Sequence, residues 1–265
     1  MPATALDPAP KPARIRQVPA VTRAVAILRL LGDSDAPLGV NPIARELGLV
    51  PSTCLHILRI LVDEGLVEVD PETKRYALGV GLLPIARNVM RRNAFNQVAQ
   101  PHLDALAADF GVTAIGVQMT DADHMVVVAI SRAPVAFGLR VDIGSRFPSL
   151  ISATGRCFAA FGGVPAAELE SRFRKLKWDN PPDFDAWRAE VETTRARGWG
   201  LDEGAYISGV SVLSVPVTDA AASTPHYIVA VGVSEQLKKA GVAALATRML
   251  DAAGAAGRAM GGENA

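Results

Sequence analysis

The sequence predicts an α+β protein in two parts: a small unit of short helices closed by a β-hairpin, then a larger antiparallel sheet with helices grouped around it. Three observations lead there. The chain has 265 residues, which suits two modest domains better than one. The first third carries short helical patterns separated by glycine turns. From residue 112 onward, strand-like runs such as "VTAIGVQM" and "VSVLSVPV" alternate with helical ones.

Composition narrows the class. At 49% hydrophobic and 20% charged, the chain has the make-up of a soluble globular protein. No uninterrupted apolar run approaches the roughly 18 residues of a membrane span. No charged segment followed by an apolar one opens the chain, so no secretory signal is expected. Only Cys54 and Cys157 are cysteines, which argues against a disulfide framework and for a cytoplasmic protein. His56, His102, His124 and His226 show no metal-ligand spacing, and neither a metal nor a cofactor is expected. The net charge of zero hides an asymmetry. Residues 1–93 hold 12 Lys/Arg and 9 Asp/Glu, whereas residues 94–265 hold 15 and 18. A polyanion would meet the first third.

Residues 1–20 carry five prolines and read as a disordered arm. It is either an inert tail or, through Lys11, Arg14 and Arg16, a basic strand that tracks a DNA backbone. Residues 21–80 form the first domain. Val25, Ile27, Leu28 and Leu31 give a helix one apolar face, with Gly32 as its stop. "GDSDAPLGV" is a loop running into a short extended piece. "NPIARELG" starts and stops a second helix in eight residues: Asn41 is the expected cap, Pro42 the first helical position and Gly48 the left-handed terminator. A third helix begins almost at once from Pro51 or Ser52, which makes the pair a helix-turn-helix.

On a wheel of about 3.6 residues per turn, Cys54, Ile57, Leu58 and Leu61 share one side of that third helix. Ser52, Thr53, His56, Arg59 and Asp63 share the other. Taken alone this is an amphipathic helix with a solvated polar face. The segment after the helix supplies a use. "LVEVD" and "KRYALG", joined by "PET", predict a hairpin wing with Lys74 and Arg75 just past its tip. Hydroxyls at a helix start, with His56 and Arg59 one and two turns on, suit phosphates and base edges. Lys74 and Arg75 suit a phosphate backbone or a minor groove.

Residues 81–94, "GLLPIARNVMRRNA", predict a linker helix. Residues 95–260 form the second domain. Its first helix runs from Phe95 to Phe110, with an interruption expected at Pro101. "VTAIGVQM" and "HMVVVAIS" flank "TDAD" as a hairpin, and "VAFGLRV" is a further strand. "ATGRCFAAF" and "PDFDAWRAEVETTRARGW" are helices, the second closing at Gly198. "VSVLSVPV" and "HYIVAVGVS" are strands, and one last helix is expected from about Glu235 to Ala259. A search for catalysis finds no nucleophile elbow, dinucleotide glycine set or paired metal ligands. "SATGR" lacks the first glycine and the Lys-Ser/Thr pair of a phosphate loop.

The ordered series "TRAVAILRLL", "IARELGL", "STCLHIL", "DEGLVEVDPETKRYALG" and "GLL" resembles the winged helix-turn-helix of the IclR family of bacterial transcriptional regulators. The likeness extends to about residue 260. It departs at Val50 and Pro51, where members commonly carry proline and then a polar or basic residue, and at His56, where a basic residue is common. The resemblance implies a GAF-like effector-binding domain after the linker. It also implies operator DNA as partner, a homodimer that often pairs into a dimer of dimers, and a small-molecule effector held between the sheet and the loop before the "ATGR" helix. Carried over by position, the anion-holding amides belong near Ala153 and Thr154. Phe147, Leu139, Val212 and Gly232 form walls, and Asp202 and Ser234 match polar positions. Leu150 stands where histidine is common and Val212 where cysteine is common. These replacements imply a more apolar pocket, suited to an aromatic or otherwise bulky carboxylic acid, and control of a catabolic operon. Two alternatives stay open: a regulator whose second domain only oligomerises, and an enzyme acting on a small acid.

Overall fold

The computed structural model describes residues 18–121, 123–132, 141–218 and 225–262. Most of the proline-rich arm, Leu139 and nearly all of the expected "VAFGLRV" strand lie outside them. The chain divides into two compact units, residues 1–89 and 90–265.

The first unit is built from α1 (Pro19–Gly32), β1 (Leu38–Gly39), α2 (Val40–Glu46), α3 (Pro51–Asp63), β2 (Val67–Val69) and β3 (Arg75–Leu78). Helix α1 begins at Pro19, two residues inside the expected arm. Proline is tolerated there because the first turn has no acceptor for its missing N–H. Ile27 and Leu31 of α1 are buried against Ile43, Cys54, Leu58, Leu61, Val67 and Tyr76. Val25, placed by the sequence on that apolar face, is exposed, and the packed stripe runs through Ala24, Ile27, Leu28 and Leu31 instead. The start of α2 differs from expectation as well. Gly39 is the N-cap, so Asn41 lies inside the helix and caps nothing. Gly48 does take a left-handed conformation, φ 62°, and turns the chain into α3 within a few residues. β1 and β2 flank β3, both antiparallel to it. A tight Asp70 turn joins β2 and β3: its carboxylate accepts from Glu72 N and Thr73 N at 2.8 and 2.9 Å.

Helix α4 (Leu82–Arg92) buries none of its residues, and Leu83, Ile85 and Val89 are each more than 60% exposed. It spans the division between the units.

The second unit holds α5 (Ala94–Phe110), β4 (Thr113–Met119), β5 (His124–Ile130), β6 (Arg146–Pro148), α6 (Ser152–Phe161), α7 (Ala166–Phe173), α8 (Phe184–Arg197), β7 (Gly200–Glu203), β8 (Val210–Val217), β9 (His226–Val233), α9 (Ser234–Ala240) and α10 (Val242–Gly262). The strands form one antiparallel sheet in the order β6-β5-β4-β9-β8-β7. Alternate residues go to opposite faces. Ala114, Leu213, Val215, Ile228 and Ala230 pack under α5 and α10. Ile115, Val117, Val210, Val212, Val229 and Val231 pack on the face that carries α6, α7 and α8. Both faces are dry, which is why these strands read as unbroken apolar runs.

Two helix expectations need correction. Pro101 does not interrupt α5, which runs continuously through it. The packing of Phe95, Ala99, Leu103 and Leu106 on the sheet carries the helix past one missing N–H. The single last helix is two, broken at Gly241, whose φ of 83° no helix accommodates.

Candidate functional site

Helix α3 sorts its side chains as the wheel arrangement required. Cys54, Ile57, Leu58 and Leu61 are buried, while Ser52, His56, Arg59 and Asp63 are exposed or nearly so and Thr53 is half-buried. The outward face also carries Ile60, 50% exposed, and Val50 just before the helix, 64% exposed. No side chain caps the start of α3, which leaves its first N–H groups available to an acceptor. On the wing, Lys74 sits in the turn with φ 55°, immediately before β3. Arg75 is partly committed within the fold, since its Nη1 donates to the Pro37 carbonyl at 3.1 Å. That bond ties the wing to the α1–β1 loop.

The second unit holds a partly open cavity of about 140 Å³ between the sheet and the start of α6. Ile115, Val117, Val210, Val212, Val229 and Val231 line its floor, with Met125, Val141, Phe147, Ile151, Tyr206 and Ile207 around the sides. The Phe147 and Tyr206 rings meet edge to face at 6.5 Å. Ser152 and Thr154 add polar atoms at the helix start. Among the described residues no charged side chain lines it.

The helix start is unusual backbone. Ser152 adopts φ 58°, a conformation that costs a non-glycine residue roughly 1–3 kcal/mol. Its Oγ is buried and has no hydrogen-bond partner among the described residues. The cause lies in close packing. A Cβ on Gly155 would fall 2.0 Å from the backbone of Leu150, so the chain folds back directly over the helix. Gly200 of β7 does the same from the other side, where a Cβ would meet Ala153 O at 2.5 Å. The result, among the described residues, is a helix start with no side-chain cap and one unbonded hydroxyl at the edge of an apolar space. Buried, polar and unsatisfied, they favour a ligand with acceptor oxygens.

Of the residues the sequence proposed for this site, Phe147, Thr154 and Val212 line the cavity. Ala153 and Leu150 are buried beside it, the first in the opening turn of α6 and the second against Gly155. Leu139 lies outside the described residues. Gly232 and Ser234 do not line the cavity. A Cβ on Gly232 would point at Leu237 on the opposite sheet face, and the Ser234 hydroxyl is bonded to Ser211 Oγ at 2.9 Å. Asp202 shares the cavity's side of the sheet but sits behind the wall, facing Arg156 of α6 across 3.5 Å. The sequence did not single out Ser152, although it directly precedes "ATGR" in the chain. Tyr206 and Ile207 lie in a turn whose sequence gives no sign of them. Burial pushes the Cys157 thiol up to about 12, as expected of a small core residue rather than a nucleophile.

Residues 20–71 match the IclR helix-turn-helix domain, and residues 87–258 match the C-terminal domain of the bacterial transcriptional regulator IclR. The chain belongs to the IclR family. A glycerol operon regulatory protein of Streptomyces griseus is 31% identical over 249 residues, 93% of this chain and 98% of the relative. Among solved structures, a transcriptional regulator from Alicyclobacillus acidocaldarius has a TM-score of 0.77 at 25% identity, covering 92% of this chain and 99% of its own. An IclR homologue from Microbacterium hydrocarbonoxydans, complexed with 4-hydroxybenzoate, scores 0.72 at 18% identity, covering 91% and 98%. At that identity the likeness speaks for the fold alone. This IclR-family protein is therefore a transcriptional regulator with an N-terminal DNA-binding domain and a C-terminal domain of the effector-binding type, which sets the enzyme alternative aside. No described helix is long and apolar enough to cross a membrane.

Proposed function

We propose that this IclR regulator senses a carboxylic acid with an apolar, aromatic body and thereby controls a catabolic operon from the cytoplasm. The observation that carries the proposal is the cavity wall: aliphatic and aromatic throughout, with acceptor-seeking N–H groups and Ser152 Oγ at one end. A carboxylate there meets the positive end of the α6 dipole, and a ring fills the remainder. A space of about 140 Å³, on the order of ten times what one water needs, has room for benzoate or a simply substituted relative. The similarity to a glycerol operon regulator raises a second reading, a polyol effector. The wall offers a polyol few partners for its hydroxyls, and burying them unbonded is costly. Calorimetry on the full-length protein with benzoate, 4-hydroxybenzoate, acetate and glycerol separates the readings. The aromatic acids should bind with a negative heat-capacity change. Binding of glycerol alone would overturn the proposal, and binding of none would favour a domain that only oligomerises.

The DNA contacts we assign to Ser52, Thr53, His56 and Arg59 on bases and nearby phosphates, and to Lys74 and Arg75 on the backbone. One short helix reads only a few base pairs, so a two-fold pair of chains is needed to read two half-sites. The exposed apolar side chains of α4 support such pairing. Thr53→Ala and Arg59→Ala should each cost about 1–3 kcal/mol of specific binding with a nearly unchanged melting midpoint, because Arg59 is exposed and Thr53 only half-buried. Wild-type operator affinity in both variants, by gel shift at fixed salt, would refute the assignment.

The wing should behave differently. Lys74→Gln should weaken specific and non-specific DNA alike and flatten the salt dependence by about one unit of slope per contact. Arg75→Gln should do this and also loosen the wing, because the bond to Pro37 goes with it. An unchanged salt slope in both variants places the wing off the backbone.

A further inference from the structure

Arg156 and Asp202 form a buried ion pair that the effector reading leaves without a task. Arg156 Nη1 stands 3.5 Å from Asp202 Oδ2, with side chains 6% and 1% exposed. The contact is loose for its depth: Arg156 Nε and Nη1 and Asp202 Oδ2 make no hydrogen bond among the described residues. Asp202 Oδ1, in contrast, accepts from Ala205 N at 2.8 Å and from Tyr206 N at 3.4 Å. Such a pair contributes little net stability, since desolvation of both ions offsets their attraction.

Its position is what matters. Asp202 lies directly opposite Val212 in the β7–β8 ladder, and Val212 is wall. Tyr206, whose N–H it holds, is also wall. Arg156 is one turn along α6 from Ser152. The carboxylate thus stands one residue behind the cavity, on the cavity's side of the sheet, close to where an effector's charge would be held. Left uncompensated in a medium of low dielectric, it would repel an anion strongly. Cys157 of α6 and Arg197 of α8 are the neighbours of Arg156 in this region, Arg197 in turn feels Glu190 and Glu203, and Tyr206 feels Asp179. Cys157 and Arg197 both interact electrostatically with Arg156. Among the described residues only Arg156 is paired with Asp202.

We propose that Arg156 is a specificity-determining residue: by cancelling Asp202 behind the wall, it removes a field that would repel anions and attract cations, and leaves the start of α6 to set the preference for an anion. This rests on the carboxylate reading given above. It also gives Asp202 a task in this chain other than touching the ligand, namely to hold the turn that carries Tyr206 and Ile207.

The test uses three probes of one shape and different charge: benzoate, benzamide and protonated benzylamine, each titrated into the full-length protein. Wild type should bind benzoate best and benzylamine worst. Arg156→Gln should lose benzoate on the order of ten- to a hundredfold while benzamide changes little, and Arg156→Lys should keep the wild-type order. The double variant Arg156→Gln/Asp202→Asn, with neither charge, should return benzoate to near its wild-type affinity. Asp202→Asn alone should bind benzoate at least as well as wild type. These last two carry the test if Arg156→Gln does not fold. Three results would overturn the role of Arg156 alone: a retained preference for benzoate in Arg156→Gln, a fall of benzoate in Asp202→Asn, or a double variant that binds benzamide but not benzoate. A wild type that does not prefer benzoate to benzamide overturns the carboxylate reading itself, and this inference with it.

Discussion

Gly155→Ala is expected to destabilise the C-terminal unit by about 3 kcal/mol or more, at the upper end of overpacking costs, and to abolish effector binding. The added methyl would stand 2.0 Å from both the carbonyl carbon and the oxygen of Leu150. No rotamer relieves that, because the obstacle is backbone. Either α6 moves off the sheet or the chain over residues 148–152 lifts away. In both cases the N–H groups and Ser152 Oγ leave the end of the cavity. Urea unfolding read through the tryptophans of the C-terminal unit, beside benzoate calorimetry, checks both parts. Full stability with intact binding would mean that the helix start is not held by this contact. The effect should stay in the C-terminal unit, since no part of the α3 packing involves it.

Val212→Phe is expected to separate sensing from DNA binding. Val212 lies on the cavity floor, 9% exposed, and a phenyl ring there occupies the space assigned to the ligand's body. The site already contains that space, so the usual cost of overpacking is largely avoided, and the change in stability should stay within about 1–2 kcal/mol. Affinity for an aromatic acid should fall by about a hundredfold or more, the equivalent of roughly 3 kcal/mol or greater. Operator affinity without ligand should be unchanged. Retained ligand affinity would move the effector elsewhere.

How much of the molecule was legible in the sequence depended on whether an element has one wet face. Helix α3 does, and its buried set of Cys54, Ile57, Leu58 and Leu61 comes directly from helical spacing. The sheet does not. Both faces are apolar, so nothing in "VSVLSVPV" or "HYIVAVGVS" says which parity meets the cavity. Gly232 shows the consequence. It pairs with Ser211, whereas Val212 pairs with Val231, and a one-residue difference in register moves a side chain to the other face. Ser234 goes with Gly232 to the α9 side for the same reason. Asp202 was legible as a polar position but not as half of a pair, because its partner is 46 residues away on another element. Pro101 and Asn41 misled in a different way. Each is a good local signal, one for a break and one for a cap. Tertiary packing overrode the first, and an earlier helix start displaced the second.

The central claim is that an acid bound in the cavity changes how the N-terminal domain holds DNA. Fluorescence anisotropy of a labelled operator fragment, titrated with wild type and with Val212→Phe in the absence and presence of saturating benzoate, tests it most directly. The account predicts that benzoate shifts the operator affinity of wild type by about fivefold or more in one direction, an ordinary allosteric coupling of about 1–3 kcal/mol, and leaves Val212→Phe unmoved. An equal shift in the two proteins, or no shift in a wild type that binds benzoate, would contradict it.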